Sequence, residues 1–385
     1  METEKEYSMA KLSKFLIVPD KFRTSLSASQ ASHAIKMSVL AHDKNAVISE
    51  FSMTDGGDCF VDTIARAQNG AKIIRLKTID PTGQTLTAKC AIINDESALV
   101  GLTEASGLNL ISPQDRNPGK LTTIGTGEII SKLVERGYKT ITVGVGGSAS
   151  NDGGIGLLIP MGFKFLDADG NDIEPNGFGL EKLEKIVPPA KPIKTKFTVA
   201  TDVTNPLFGK TGAAFQFSQQ KGASQEDAAQ LDKNLRKLAQ VAKKCLGKSL
   251  HDEPGAGAGG GCGYAMMTFL GAKRVSGFDL FAKVTNLESQ IKSSHVVITG
   301  EGKFDATSAD GKGPFALAKL AAKHKKPVWI FCGVSELSEK DLAAYKLDNV
   351  KIGQILPLAP NPLEAVNRAP RFLAQLTKEF IEQHK

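Results

Sequence analysis

The sequence predicts an α/β protein, with parallel β-α-β units at both chain ends and a mixed portion between them. Three observations carry this. Phe15–Val18, Thr140–Val145 and Val296–Thr299 are short apolar runs, the mark of strands buried on both faces. Polar or glycine-rich loops follow these runs and lead into stretches of helical period. The 38 glycines cluster in polar turns rather than linkers, which suits a ligand-binding fold better than a disordered chain.

In order, Phe15–Val18 ends in the loop Pro19 to Ser25. Ser27 then caps a helix carrying Ala28, Ala31, Ile35 and Val39. Val47–Met53 alternates as a strand and runs into Thr54-Asp55-Gly56-Gly57-Asp58, with a helix from about Val61 to Ala67. Ile73–Leu76, Leu86–Ile93 and Ala98–Gly101 read as an antiparallel meander, which places a domain boundary near residue 80. Thr122–Glu128 opens a helix reaching about Arg136. Thr140–Met161 is the central stretch: a strand, a turn at Gly144, Gly146 and Gly147, then a helix whose start carries Ser148, Ser150, Asn151 and Asp152. Such a start presents free N–H groups to an anion.

Farther on, Phe163–Leu166 is a strand with a hairpin turn, and Lys196–Ala200 is a strand ending at Asp202. An amphipathic helix spans about Gln225 to Cys245. Gly255, Gly257 and Gly260 spell a G-x-G-x-x-G. No strand precedes it, so it is not a dinucleotide fingerprint. A helix from Tyr264 to Leu270 follows. Val296–Thr299 leads to Gly300-Glu301-Gly302-Lys303-Phe304-Asp305 and then Gly311-Lys312, with Ala306 where a Walker A loop needs glycine. Val328–Cys332 and Lys351–Leu356 are the last strands, and Leu363 to about His384 a helix.

The composition narrows the function. Net charge is +7, but the basic residues are scattered, which argues against nucleic-acid binding and favours acidic small substrates. The five cysteines form no C-x-x-C pair, which points to a reducing compartment rather than a disulfide framework or zinc site. The charged first 14 residues lack a signal peptide's apolar core, and no apolar run is long enough to span a bilayer. The expected location is the cytoplasm, with no membrane partner.

Seven segments in order then make the chain resemble the bacterial class I glycerate kinases, from about Phe15 to the end. They are VPDKFRTSLSA at Val18, MTDGGD at Met53, NPGKLTTIGTGE at Asn117, VGVGGSASNDGGIGLL at Val143, TDVTNPLFG at Thr201, PGAGAGGGCG at Pro254 and TGEGKFDATSADGKGP at Thr299. The resemblance implies ATP- and Mg²⁺-dependent phosphorylation of D-glycerate, most often to 2-phosphoglycerate. It also implies two α/β domains. One is flavodoxin-like, formed by residues 1–80 and 290–385. The other is an inserted mixed domain of 81–289, with the active site in the cleft between them and the protein a monomer or homodimer. The chain departs from the family pattern at Arg23 and Thr24, at Cys59 where a glycine is usual, and at Thr307-Ser308.

Phosphoryl transfer needs in-line placement, charge neutralisation and a proton acceptor. Asp202 is the first candidate for the acceptor and Asp55 the second, with Lys312 neutralising phosphate. Asp20, Lys21, Arg23, Ser25, Ser148, Asn151 and Asn205 are expected at the substrate. Gly146, Gly147, Gly257, Gly259, Gly300 and Lys303 are expected at the nucleotide, and Asp152, Glu301 and Asp305 at the metal. A nicotinamide dehydrogenase would need a strand before its glycine motif, which is absent here. A non-catalytic glycerate sensor could dispense with Glu301, Asp305 and Lys312, and all three are present. Glycerate 3-kinase activity is the alternative within the same reaction class.

Overall fold

The structure, a computed structural model, describes residues 12–22, 25–305 and 313–384. The strands are β1 (Lys14–Ile17), β2 (Val47–Glu50), β3 (Lys72–Ile79), β4 (Thr85–Asn94), β5 (Ser97–Gly101), β6 (Thr140–Gly144), β7 (Lys164–Leu166), β8 (Lys185–Val187), β9 (Lys196–Ala200), β10 (Lys273–Val275), β11 (Val296–Phe304), β12 (Val328–Ser335) and β13 (Val350–Gln354). They fall into two compact units, Met1–Thr54 with Phe281–Lys385, and Asp55–Leu280.

The first unit holds a parallel sheet of order β13-β12-β11-β1-β2. Counted along the unit's own strands, this is the 2-1-3-4-5 order of flavodoxin-like sheets. Helix Ala28–His42 starts at a capping box between Ser27 and Gln30. It shares a core with Ala369–Glu382 and the sheet, built from Ile35, Val39, Phe15, Trp329, Phe331, Phe372 and Phe380. The single C-terminal helix expected from Leu363 is two, Pro362–Asn367 and Ala369–Glu382. Pro370, in the first turn of the second, has no N–H to continue the first helix's ladder.

The second unit holds a sheet of order β10-β9-β6-β5-β4-β3. β5, β6, β9 and β10 are parallel; β4 and β3 add as the expected antiparallel meander. Helix Gln225–Leu246 packs Leu231, Leu235 and Leu238 into the core beside Phe165, Leu180, Tyr264 and Met266. The division between units falls after Thr54 and after Leu280, earlier than residues 80 and 290 at both junctions. Pairing explains the first difference: β3 runs its full length along β4 and so belongs to the second sheet. The three-residue strands β8 and β10 were not anticipated.

Candidate active site

The second unit gathers polar groups where its parallel strands end. Asp202 lies two residues past β9 and is half-buried. Its carboxylate accepts a hydrogen bond from Ser276 Oγ at 2.6 Å and another from Phe278 N at 2.9 Å, both just beyond β10. Burial pushes its pKa from the ordinary 3.8 up to about 6; the two hydrogen bonds pull it back, and the charges of Asp55 and Asp279 add to the rise.

Asp55 is exposed, and its Oδ1 accepts from Gly57 N at 3.0 Å. Its loop is seated on the strand ends. Gly146 N, past β6, donates to Gly56 O at 3.0 Å. A Cβ on Gly56 would lie 2.3 Å from Ala200 O, and Gly56 has φ +97°, a conformation glycine reaches without strain. A Cβ on Gly277 would lie 2.1 Å from Asp55 O. The backbone thus brings two carboxylates, Asp55 and Asp202, to one sheet edge.

The central stretch differs from expectation. Its polar residues do not open a helix: the next helix, Ile155–Leu158, has four residues and follows Gly154 at φ 73°. Ser148, Ser150, Asn151 and Asp152 are instead a buried loop. Asp152 is fully buried, and its oxygens are occupied. Oδ2 accepts from Thr123 N at 2.9 Å and Thr123 Oγ1 at 2.6 Å; Oδ1 accepts from Gly154 N at 3.1 Å. This carboxylate ties the start of helix Ile124–Glu135 to the loop, which removes it from the expected metal set. Asn151 is also fully buried, and neither Nδ2 nor Oδ1 has a hydrogen-bond partner among the described residues.

Lys221 is a feature that sequence reasoning missed. It is buried, and its Nζ donates to Ser148 Oγ at 2.6 Å and Ser150 O at 2.7 Å. Burial lowers its pKa to about 8, opposed by the charges of Cys262 and Asp152. In the sequence it sits in a polar run, Gln219-Gln220-Lys221-Gly222, that reads as surface. Ser276 escaped notice for a similar reason, since its importance comes from a strand three residues long.

Three residues expected at the ligands make close contacts within the chain itself. A Cβ on Gly257 would lie 2.4 Å from Pro206 O, and one on Gly259 would lie 2.6 Å from Val145 O, so these glycines let backbone meet backbone. Asn205 Nδ2 donates to Thr211 O at 2.8 Å, closing its own loop. Gly147, by contrast, is exposed, and Gly146 half-buried.

The first unit places a second polar cluster at the carboxyl end of its sheet. Asp20 N donates to Gly300 O at 2.8 Å, so the loop after β1 lies beside β11. In a sheet of this order the switch point lies between these two strands, and ligands bind in the crevice there. Asp20, Lys21 and Ser25 share this edge with Glu301, Lys303 and Asp305. Asp20 Oδ1 accepts from Lys21 N at 2.7 Å, and Ser25 Oγ donates to Phe22 O at 3.2 Å. Lys303 is exposed and bridges Glu336 at 2.7 Å and Asp305 at 3.2 Å, which raises its pKa. Gly300 sits inside β11, where a Cβ would lie 2.0 Å from Phe331 O, so the lack of a side chain there lets β11 and β12 pack closely. Arg23 and Lys312 lie outside the described residues.

Residues 15–385 match the profile of the glycerate kinase family. The chain belongs to that family. It is similar to the glycerate 2-kinase of Escherichia coli K12, 40% identical over 319 residues, covering 82% of this chain and 84% of that one. It is also similar to the glycerate kinase of Bacillus subtilis 168, 34% identical over 376 residues and covering 97% and 98%. A crystal structure described as a glycerate kinase 2 from Salmonella typhimurium LT2 superimposes with TM-score 0.73 at 33% identity, covering 97% and 98%.

Membership in the glycerate kinase family also gives meaning to Cys59. It stands where the resemblance implies glycine, and its backbone is left-handed, with φ 59° and ψ 6°. The chain has kept the backbone conformation that a glycine would adopt easily, at a cost of roughly 1–2 kcal/mol. Among the described residues no helix is long and apolar enough to cross a membrane.

Proposed function

We propose that this chain catalyses ATP-dependent phosphorylation of D-glycerate at the 2-hydroxyl, giving 2-phosphoglycerate and ADP, in the cytoplasm. The observation that supports it most directly, in a chain of this family, is Asp202. Its carboxylate, held near 6 by burial, is ionised at neutral pH yet basic enough to take a hydroxyl proton. Ser276 and Phe278 N fix its orientation. Asp55 adds negative charge and keeps Asp202 poised.

At the first unit's edge, Lys21 and Lys303 supply positive charge for phosphate oxygens. Among the described residues no three His, Cys, Asp or Glu side chains are grouped to hold a metal. Mg²⁺ suits such an edge nonetheless, because it takes one or two protein carboxylates and completes its shell with phosphates and water. Asp20, Glu301 and Asp305 have the donor chemistry. Bound there, ATP with Mg²⁺ supplies the phosphoryl group and offsets its charge. The chain's own part is to hold the hydroxy acid, accept its proton and fix the loop of Asp55.

The test is a coupled assay for ADP over a panel of small hydroxy acids, with phosphorus NMR of the product. D-glycerate is expected to give ADP and the 2-phosphate ester. No ADP release with D-glycerate would overturn the proposal, and a 3-phosphate product would overturn its regiochemistry.

A further inference from the structure

Among the described residues Lys221 is a buried cation whose Nζ hydrogen-bonds a hydroxyl and a carbonyl oxygen, with the Asp152 charge felt but not hydrogen-bonded. Its ammonium carries three protons, and two are accounted for by Ser148 Oγ and Ser150 O. Ser150 O belongs to the peptide that leads into Asn151. The Asn151 side chain is fully buried, and neither its donor nor its acceptor is met by a described residue. A buried, unmet amide costs about 1–3 kcal/mol, and such groups are few in folded proteins. The surrounding chain is not short of polar partners, since the neighbouring Asp152 is satisfied several times over. The unmet group is one residue away, on the residue whose preceding carbonyl accepts from Lys221.

We propose that Lys221, Ser148 and Asn151 form the subsite that recognises the α-hydroxy-carboxylate end of the substrate. The chemistry fits this class of ligand in three respects. One cation balances one carboxylate, whereas a nucleotide's phosphates would call for several. The Asn151 amide offers a donor for a carboxylate oxygen and, beside it, an acceptor for a hydroxyl proton. Ser148 Oγ accepts from Lys221 and donates to Ser150 O at 3.3 Å, a long bond whose proton can turn to the second carboxylate oxygen. Lys221 is thus a specificity-determining residue, and its charge, which burial weakens, is restored by the arriving anion.

The inference rests on the proposed glycerate kinase activity, and the experiment separates the two. Wild type, Asn151→Ala and Lys221→Gln are compared for KM of D-glycerate, KM of ATP, thermal unfolding, and the unfolding shift produced by D-glycerate without nucleotide. Because the Asn151 amide hydrogen-bonds no described residue, Asn151→Ala should unfold no more than a degree or two below wild type. Both variants should raise the glycerate KM by about 10- to 100-fold, leave the ATP KM within twofold, and lose the glycerate-induced shift. If Lys221→Gln fails to fold, Asn151→Ala decides alone. An unchanged glycerate KM in Asn151→Ala, or a rise in the ATP KM instead, overturns the subsite. Absence of turnover in wild type overturns the activity itself, and the glycerate-induced shift then still reports on the subsite.

Discussion

Asp202→Asn removes the charge from a carboxylate that burial has pushed up to about 6, while keeping its size and its ability to accept from Phe278 N. The folded chain holds the Asp202 proton up to about pH 6, and the unfolded chain releases it near 3.8. Between those values the folded state binds more protons, so its stability falls as pH rises. Above pH 6 the full penalty is in place. The difference of a little over two pH units corresponds to about 3 kcal/mol, at 1.36 kcal/mol per unit. Asp202→Asn should therefore stabilise the protein by about 3 kcal/mol at pH 8 and by almost nothing at pH 4. For a unit of this size that is roughly 6–12 °C in unfolding temperature. Turnover should fall by at least about 100-fold, because the proton acceptor is gone. Calorimetry at pH 4, 6 and 8 with initial rates at pH 8 checks both halves. A variant with wild-type turnover would exclude Asp202 as the base. Equal stabilities at pH 8 would show that its pKa is not raised.

Three further outcomes follow from the geometry. Cys59→Gly relieves a left-handed backbone and should gain about 1 kcal/mol, read by urea unfolding at pH 7; a loss of stability would contradict the strain. Gly56→Ala drives a Cβ to 2.3 Å from Ala200 O and displaces the Asp55 loop, so kcat should drop by about 100-fold with the fold intact by circular dichroism. Asp152→Ala strands Thr123 N and Gly154 N and should cost about 2–4 kcal/mol in denaturant unfolding. Its Mg²⁺ dependence should match wild type, and a selective loss of Mg²⁺ affinity would return Asp152 to the metal set.

Much of the fold was legible because its strands are extreme in composition. Phe15–Ile17 and Val296–Thr299 can only be central, since a parallel strand covered on both faces tolerates little polarity. The loops that follow were legible as polar breaks. What sequence could not separate was Asp152 from Asp202. Both are acids close beyond a strand, in company with small residues. One is sealed by Thr123, 29 residues earlier in the chain, and the other is held from β10, more than 70 residues later. Burial and partner are properties of the tertiary structure. Lys221 was hidden for the same reason: only packing turns a lysine in a polar run into an interior cation. The unit boundary was misplaced because β3 looks locally like any alternating strand, and its allegiance is set by pairing with β4.

The order of the first sheet has a consequence for how the protein is made. β1 lies between β2, which follows it at once, and β11, which is synthesised some 240 residues after Thr54. At about 5–20 residues per second, the N-terminal strand pair waits roughly 10–50 s with its inner edge uncovered. The whole second unit emerges and is able to fold during that interval. An apolar edge such as Phe15-Leu16-Ile17 is the kind that templates aggregation when left open. A circular permutant that joins the two halves of the first unit should shorten the wait and raise the soluble yield, so that birth order, and not only stability, becomes a design variable for this chain.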